Sequence, residues 1–205
     1  TGLQSQSVLF RQDQNGTDQV FLDPNTFSDD GTVSMSGVSF SSDGSLVAYQ
    51  LSEGGSDWRS IEVRDAQTGS VIESPLRDVK FSGIDWLGNE GFFYSSYDKP
   101  DGSELSAKTD QHKLYFHAIG TPQSEDILVF GGTPEQKHRY VGADIGGDDR
   151  YLVITAANST SGNKLFIKDL SLESDSLIPI ISDDTAADSL LDSRAEIFHI
   201  STNQD

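Results

Sequence analysis

The chain has 205 residues and a formal net charge of −19, from 14 basic and 33 acidic side chains. A surface this acidic repels nucleic-acid phosphates and anionic membranes, which argues against those partners. It is typical of a well-solvated soluble protein, and attraction of cationic peptides is the alternative interpretation. No cysteine is present, which excludes disulfides, thiolate zinc sites and cysteine nucleophiles.

The first element in chain order is a predicted β-hairpin. Two short apolar runs, Val8–Phe10 and Gln19–Leu22, flank the dipeptide Asn15-Gly16, which tight hairpin turns prefer. A connector rich in turn-forming residues follows. Residues 1–27 are therefore predicted to complete one structural unit before the next begins.

A strand–turn–strand pattern then recurs about every fifty residues. The three copies of this pattern are Val38–Tyr49, Ile84–Tyr94 and Ala143–Ile154. Each copy is followed by a third strand, and the centres of these strands at Val63, Phe116 and Ile167 lie 53 and 51 residues apart. This period is typical of the four-stranded blade of a β-propeller.

The repeat predicts an all-β fold, namely a partial β-propeller of about three complete four-stranded blades with parts of two flanking blades. The complete blades are expected at residues 33–72, 79–129 and 140–181. Residues 1–27 would end one blade, and residues 195–205 would begin the next. A long polar insertion at Tyr97–Gln111 interrupts the second blade, and insertions of this length are often functional.

The sequence carries no complete catalytic motif. It has no Gly-x-Ser-x-Gly elbow, phosphate-binding loop or zinc-protease signature. Its histidines, His112, His117, His138 and His199, stand outside any such motif, so structural roles are favoured for them. Asp13–Asp18 lacks the ligand pattern of a calcium loop. We therefore predict no catalytic residue, no metal site and no cofactor in this chain.

Aromatic residues on the predicted strands are expected to pack between blades. This applies to Trp58 and Trp86. Phe92, Phe93 and Tyr94 are consecutive on one strand, so Phe93 points to the opposite face from its neighbours. Phe93 would contact a ligand if that face borders a cavity, and would be part of the core if it does not.

Six short motifs in order along nearly the whole chain carry a family resemblance. They are Thr1–Gln4, Phe21–Asn25, Ser28–Thr32, Gly55–Trp58, His112–His117 and Gln123–Asp126. Each motif is weak alone, but the ordered set is specific. It resembles the prolyl oligopeptidases of peptidase family S9, which are serine endopeptidases that cleave short peptides after proline.

The resemblance implies a seven-bladed propeller above an α/β-hydrolase domain, with the active site in the cavity between them. The catalytic triad of the family belongs to the hydrolase domain, to which no part of this sequence corresponds. The resemblance implies substrate-binding roles for Phe93, for Tyr140 or Val141, and for Asn158. Asn158 stands near the position of a cavity arginine in the family, which residues 156–158 lack.

Function and partners follow from the same resemblance. The chain would be the substrate-gating wall of a prolyl endopeptidase and inactive alone, with short proline-containing peptides, the remaining blades and the hydrolase domain as its partners. The alternative is a stand-alone propeller that serves as a protein-interaction scaffold. A related dipeptidyl-peptidase or acylaminoacyl-peptidase fits the motifs less well. The open arc leaves apolar blade faces exposed at its ends, which predicts self-association. The protein is expected to be soluble, and the sequence leaves its compartment open between the cytoplasm and the periplasm of a bacterium.

Overall fold

A computed structural model describes residues 4–98, 109–174, 176–194 and 196–204. Within these residues the chain forms sixteen β-strands in five antiparallel sheets, which confirms the all-β class. The helical segments in this part of the chain are three-residue 3₁₀ turns at Pro24–Thr26, Gln123–Glu125 and Pro134–Gln136. Most of the predicted insertion at residues 97–111 lies outside the described residues.

Three sheets have four strands each, and within each sheet the strands pair in the order in which they follow one another in sequence. The first sheet comprises β3 (Val33–Phe40), β4 (Leu46–Glu53), β5 (Trp58–Asp65) and β6 (Leu76–Lys80). The second comprises β7 (Asp85–Leu87), β8 (Gly91–Ser96), β9 (Lys113–Ala118) and β10 (Ile127–Phe130). The third comprises β11 (Tyr140–Ile145), β12 (Tyr151–Ala157), β13 (Lys164–Asp169) and β14 (Ile178–Ile181).

Two-stranded hairpins flank these sheets on either side in sequence. The first hairpin pairs β1 (Leu9–Gln12) with β2 (Asp18–Leu22), and the last pairs β15 (Asp188–Arg194) with β16 (Ile197–Thr202). The described strands thus form a series of meander sheets that is partial and does not close on itself, as the predicted fold requires.

The predicted Asp-Gly turn between β3 and β4 is formed by local hydrogen bonds. Asp43 Oδ1 accepts a 2.8 Å hydrogen bond from the backbone N–H of Ser45, and Gly44 has a φ of +73°. Side-chain and backbone hydrogen bonds from Ser45 lower the pKa of Asp43 to about 2. A side chain other than glycine would be strained at position 44, so the dipeptide fixes where the chain reverses.

The core consists of apolar layers between neighbouring sheets, because side chains alternate along each strand. Phe92 and Tyr94 of β8 pack towards the first sheet, whereas Phe93 packs towards the third. A further layer lies between the third sheet and the last hairpin, where Tyr151 contacts Phe198 and Val153 belongs to the same apolar cluster. Each large apolar side chain buried in this way contributes about 1.5–3 kcal/mol.

The first strands of the three sheets lie side by side, since β7 contacts both β3 and β11. Their turns meet at one end, where the Ser42 N–H donates to the carbonyl of Gly88 at 3.1 Å and the Ser42 hydroxyl lies 3.4 Å from Asp149. These strands therefore line the inner edge of the arc. We call the end that carries these turns the turn end.

The strand positions differ from the sequence expectation at the end of the first sheet. Its fourth strand, β6, ends at Lys80, so the first sheet continues past residue 72 and the second begins with β7 at Asp85 rather than at residue 79. Val71 forms only an isolated bridge with Arg64, and Pro75 directly precedes β6. Proline lacks the N–H that a ladder needs, which explains the delayed strand.

The last hairpin also begins earlier than residue 195. β15 occupies Asp188–Arg194, within a segment for which the sequence allowed at most a short helical turn. The register between β15 and β16 shifts between Leu190 and Asp192. This bulge interrupts the two-residue alternation from which a strand is recognised.

Candidate functional site

Three aromatic side chains meet at the end of the sheets opposite the turn end. Phe81 follows β6, Tyr97 follows β8, and Tyr140 begins β11. The ring centroid of Phe81 lies 6.3 Å from that of Tyr97 and 6.1 Å from that of Tyr140. Such tilted and edge-to-face contacts are favourable for aromatic rings. We call Phe81, Tyr97 and Tyr140 the aromatic rim.

Phe81 is the most exposed member of the aromatic rim. Its φ is +54°, in a region that large L-residues rarely adopt, and 48% of its surface remains accessible to solvent. Backbone strain of this kind persists only where the surrounding structure imposes it, and it is frequent at functional sites. The geometry therefore holds an apolar ring in water beside Tyr140, where it can contact a ligand.

A fully buried histidine, His112, packs against the aromatic rim on its core side. The His112 ring stacks on Tyr97 at 4.4 Å, its Nδ1 accepts a 2.8 Å hydrogen bond from the Val141 N–H, and its Nε2 lies 2.9 Å from the carbonyl of Lys80. Because Nδ1 is the acceptor, Nε2 carries the proton and donates to that carbonyl. Burial lowers the pKa of His112 to about 4, so the ring is neutral at physiological pH.

Two cations flank the aromatic rim. The Lys80 ammonium lies 5.1 Å from the Trp58 ring centroid and 5.2 Å from that of Phe81, and Lys80 is only 9% exposed. The Arg139 guanidinium lies 5.8 Å from the ring centroid of Tyr140 and is exposed. Cation–π contacts of this type place positive charge beside an apolar surface. The rim is thus suited to ligands with both apolar and electron-rich groups.

Tyr97 fixes the backbone at this end of β11. Its hydroxyl donates to the carbonyl of Arg139, and Tyr97 is almost completely buried. Burial, with a smaller contribution from Tyr140, raises the pKa of Tyr97 to about 12. The hydroxyl therefore stays protonated and keeps donating across the physiological pH range.

A second buried histidine lies within a carboxylate cluster at the outer part of the second sheet. His117 Nδ1 lies 2.7 Å from Asp126 Oδ1 and its Nε2 lies 3.0 Å from Glu73 Oε1. Burial opposes the charge on His117, but the two carboxylates outweigh it and raise its pKa to about 9. Both ring nitrogens donate to these carboxylates and the residue is 1% exposed, so His117 cannot serve as a general base.

Two carboxylates face each other on neighbouring inner strands. Asp85 lies on β7 and Asp144 on β11. Burial raises the pKa of Asp85 to about 7, and repulsion from Asp144 adds to the shift.

The described residues include no cluster of three or more His, Cys, Asp or Glu side chains that could hold a metal ion. In the same part of the chain, no helix is long and apolar enough to cross a bilayer.

Comparison with protein families matches the whole chain. The profile described as "Prolyl oligopeptidase, N-terminal beta-propeller domain" covers residues 1–205. The chain belongs to this family. The resemblance expected from the short motifs is thereby confirmed, as is the partial propeller fold.

Curated relatives of this propeller are peptidases. Prolyl endopeptidase from Elizabethkingia meningoseptica is 53% identical over 205 residues, which are 100% of this chain and 29% of that protein. Prolyl endopeptidase from Elizabethkingia miricola is also 53% identical, over 99% of this chain and 29% of its own length. The chain thus spans less than a third of the curated relatives that it matches.

Solved structures give the same family. A prolyl endopeptidase structure superposes with a TM-score of 0.84 at 31% identity, over 98% of this chain and 29% of that one. Prolyl oligopeptidase B from Galerina marginata, bound to a 25mer macrocyclization substrate, superposes with a TM-score of 0.85 at 27% identity. That match covers 98% of this chain and 32% of the Galerina chain.

The four residues predicted to bind substrate occupy different environments in the propeller. Tyr140 belongs to the aromatic rim, and Asn158 is exposed directly after β12 at the same end. Val141 is buried beneath them, where its N–H is bound by His112. Phe93 is 3% exposed in the core, with its ring 4.9 Å from that of Phe116. The structure therefore brings Tyr140 and Asn158 to one surface and leaves Phe93 in the core.

Phe81 and Tyr97 are the rim residues that the sequence analysis did not assign to the site, and Phe81 is the exposed one. It follows β6, in a segment that the sequence predicted as the first strand of the next blade. Its positive φ has no sequence signal, because such values are expected for glycine rather than phenylalanine. The exposed aromatic residue next to Tyr140 is thus Phe81, which lies twelve positions before the predicted Phe93.

Proposed function

We propose that this chain is the propeller part of a serine endopeptidase that cleaves short peptides after proline, and that it forms the wall through which peptides are selected. The single observation that carries this proposal is the family match over residues 1–205. The two relatives at 53% identity are both named prolyl endopeptidase. Nothing in the comparisons supports the alternative of a stand-alone interaction scaffold.

The chemistry of the described residues supports a role in selection rather than catalysis. His112 is neutral with both ring nitrogens bound to backbone groups, and His117 is enclosed by two carboxylates. Neither can take a proton from a nucleophile. A rigid layered wall of sheets suits exclusion by size, because interlocked apolar layers resist deformation. Folded proteins would be excluded and short extended peptides admitted.

We propose that the aromatic rim contacts the substrate, with Phe81 and Tyr140 against apolar side chains of the peptide and Asn158 as a polar contact at its edge. Phe81 takes the place of Phe93 in this proposal, because the Phe81 ring is exposed beside Tyr140. Aromatic surfaces are common in sites that bind extended peptides. The catalytic groups would come from an α/β-hydrolase domain of the same protein.

The test compares the isolated 205-residue chain with the full-length protein. We expect the full-length protein to hydrolyse a chromogenic peptide after proline and to leave a stably folded globular protein intact. The isolated chain should hydrolyse neither substrate. An alanine-for-proline peptide serves as the substrate control. Hydrolysis that co-purifies with the isolated chain through several columns would contradict the proposal, as would a full-length protein without preference for proline.

We also propose that the isolated chain self-associates through its flanking hairpins. Leu191 of β15 is 70% exposed and Ile197 of β16 is 63% exposed, which is unusual for large apolar side chains on strands. In the parent enzyme further blades would cover these two side chains. We place that enzyme in the cytoplasm or periplasm of a bacterium. Light scattering of the isolated chain should give a mass that rises with concentration, and Ile197→Lys should weaken that rise. A constant monomer mass would contradict this proposal.

A further inference from the structure

We propose that Arg139 is a specificity-determining residue that draws an acidic side chain of a bound peptide onto the aromatic rim. This inference rests on the proposed function and adds a substrate class to it. The class is peptides that carry a glutamate or aspartate upstream of the proline. Its basis is an exposed arginine whose guanidinium is not engaged by any hydrogen bond or ion pair among the described residues.

Arg139 differs in this respect from other arginines of the chain. Arg150 forms a 2.8 Å ion pair with Asp169, and Arg64 forms a 2.6 Å ion pair with Glu62. The guanidinium of Arg139 instead lies over the Tyr140 ring, 5.8 Å from its centroid. A guanidinium that contacts an aromatic ring keeps N–H donors available for a carboxylate. Its hydrogen-bonding capacity is therefore left for a ligand.

The backbone of Arg139 is fixed on both sides. Its N–H donates a 3.1 Å hydrogen bond to the carbonyl of Ala157, and its own carbonyl accepts from the Tyr97 hydroxyl. The side chain thus starts from a rigid position at the beginning of β11. A rigid origin lowers the conformational entropy that is lost when the guanidinium engages a ligand, which favours specific recognition.

The negative charge of the rest of the chain makes Arg139 important for binding an acidic peptide. The chain has a net charge of −19, so the protein surface as a whole repels an acidic peptide. Lys80, the other cation of the rim, is enclosed between the Trp58 and Phe81 rings and is 9% exposed. Among the described residues, Arg139 is the exposed cation of the rim that a peptide lying on Phe81 and Tyr140 can reach. It can therefore reverse the general repulsion at one position of the peptide.

The test measures binding of product peptides to the full-length protein by calorimetry. Acetylated tetrapeptides that end in proline carry glutamate, glutamine or lysine at each upstream position in turn, and such products are not cleaved further. At one position the wild-type protein should bind the glutamate peptide about tenfold more tightly than the glutamine peptide, as a charge-assisted hydrogen bond provides. In Arg139→Gln this ratio should fall to about one, and in Arg139→Glu the lysine peptide should bind best.

Arg77→Gln is the matched control, because it removes the same charge from an exposed side chain on β6, the last strand of the first sheet. It should keep the wild-type ratio. The inference is overturned if Arg139→Gln keeps the ratio, if it weakens all three peptides equally, or if Arg77→Gln lowers the ratio as much. A wild-type protein that lacks cleavage after proline but shows the Arg139-dependent ratio would contradict the proposed function alone. Cleavage after proline without that ratio would contradict this inference alone.

Discussion

Two buried histidines, five residues apart, use opposite chemistry to join neighbouring sheets. His112 is neutral and binds only backbone groups of β6 and β11, whereas His117 binds carboxylates from the segment before β6 and the segment before β10. Burial lowers the pKa of His112 to about 4, and two carboxylates overcome burial and raise that of His117 to about 9. The comparison teaches that burial keeps an imidazole neutral unless carboxylate partners outweigh it.

The largest effect is expected when His117 is removed. His117→Ala leaves Glu73 and Asp126 buried without their shared cation, which should destabilise the chain by about 3–5 kcal/mol. Urea unfolding at pH 7 measures this loss. His199→Ala serves as the control, since His199 is exposed on β16 and its loss should cost less than about 0.5 kcal/mol. Equal losses in both variants would contradict the role assigned to His117.

The second effect is a dependence of stability on alkaline pH that His117 should produce. Its pKa is higher in the folded chain than the unfolded value near 6.5, so its stabilisation is complete below that pH and is lost as pH rises through about 9. The loss between pH 6.5 and 10 should amount to about 2–3 kcal/mol. Unfolding free energies across this range, compared with those of His117→Ala, provide the measurement. Parallel pH profiles would show that the shift belongs to another group.

His112→Ala should have a smaller effect, and its cost should be larger at pH 8 than at pH 6. At pH 8 the substitution leaves the Val141 N–H and the Lys80 carbonyl without partners, at a cost of about 2 kcal/mol. The pKa of His112 is lower in the folded chain than the unfolded value near 6.5, so the unfolded state gains a proton that the folded state does not as pH falls through 6.5, and the cost at pH 6 should be about 1 kcal/mol smaller. His112→Asn, which keeps one polar donor and one acceptor, should recover part of the loss at pH 8. Equal costs at both pH values would mean that folding does not lower the pKa of His112.

The smallest predicted effect is a gain in stability at the inner edge. The pKa of Asp85 is raised to about 7, so the folded state disfavours its charge and loses stability as pH rises from about 4 through 7. Asp85→Asn should therefore stabilise the chain by about 1 kcal/mol at pH 8, after solvent screening, and by nothing at pH 4. Asp29→Asn in the exposed connector is the control. A destabilised Asp85→Asn variant at pH 8 would contradict the assignment.

Sequence reasoning located the repeat because its signals are local. The Asp43-Gly44 turn and the alternation of Phe92, Phe93 and Tyr94 each depend on a few consecutive residues. Alternation also showed that Phe93 faces away from its neighbours. It did not show whether that face meets core or cavity, because both faces of a middle sheet are covered by neighbours.

The site depended on features without a local signal. Glu73 and Asp126 lie 44 and 9 residues from His117, so their meeting follows from the order of the sheets and not from spacing. The exposed ring of Phe81 results from a positive φ that its residue type does not predict. The delayed strand β6 and the bulge at Leu190 likewise depend on which neighbours pair, which the sequence alone does not specify.

The hydrogen bonds of His112 have a mechanical consequence for the full-length protein. Through one imidazole ring, the last strand of the first sheet is hydrogen-bonded to the first strand of the third, and the second sheet supplies the ring between them. Pulling any two of these sheets apart would break a solvent-shielded bond, so the three should travel as a single rigid segment. If the closed propeller opens to let a peptide enter, we expect the two blades that separate to lie outside this three-sheet segment.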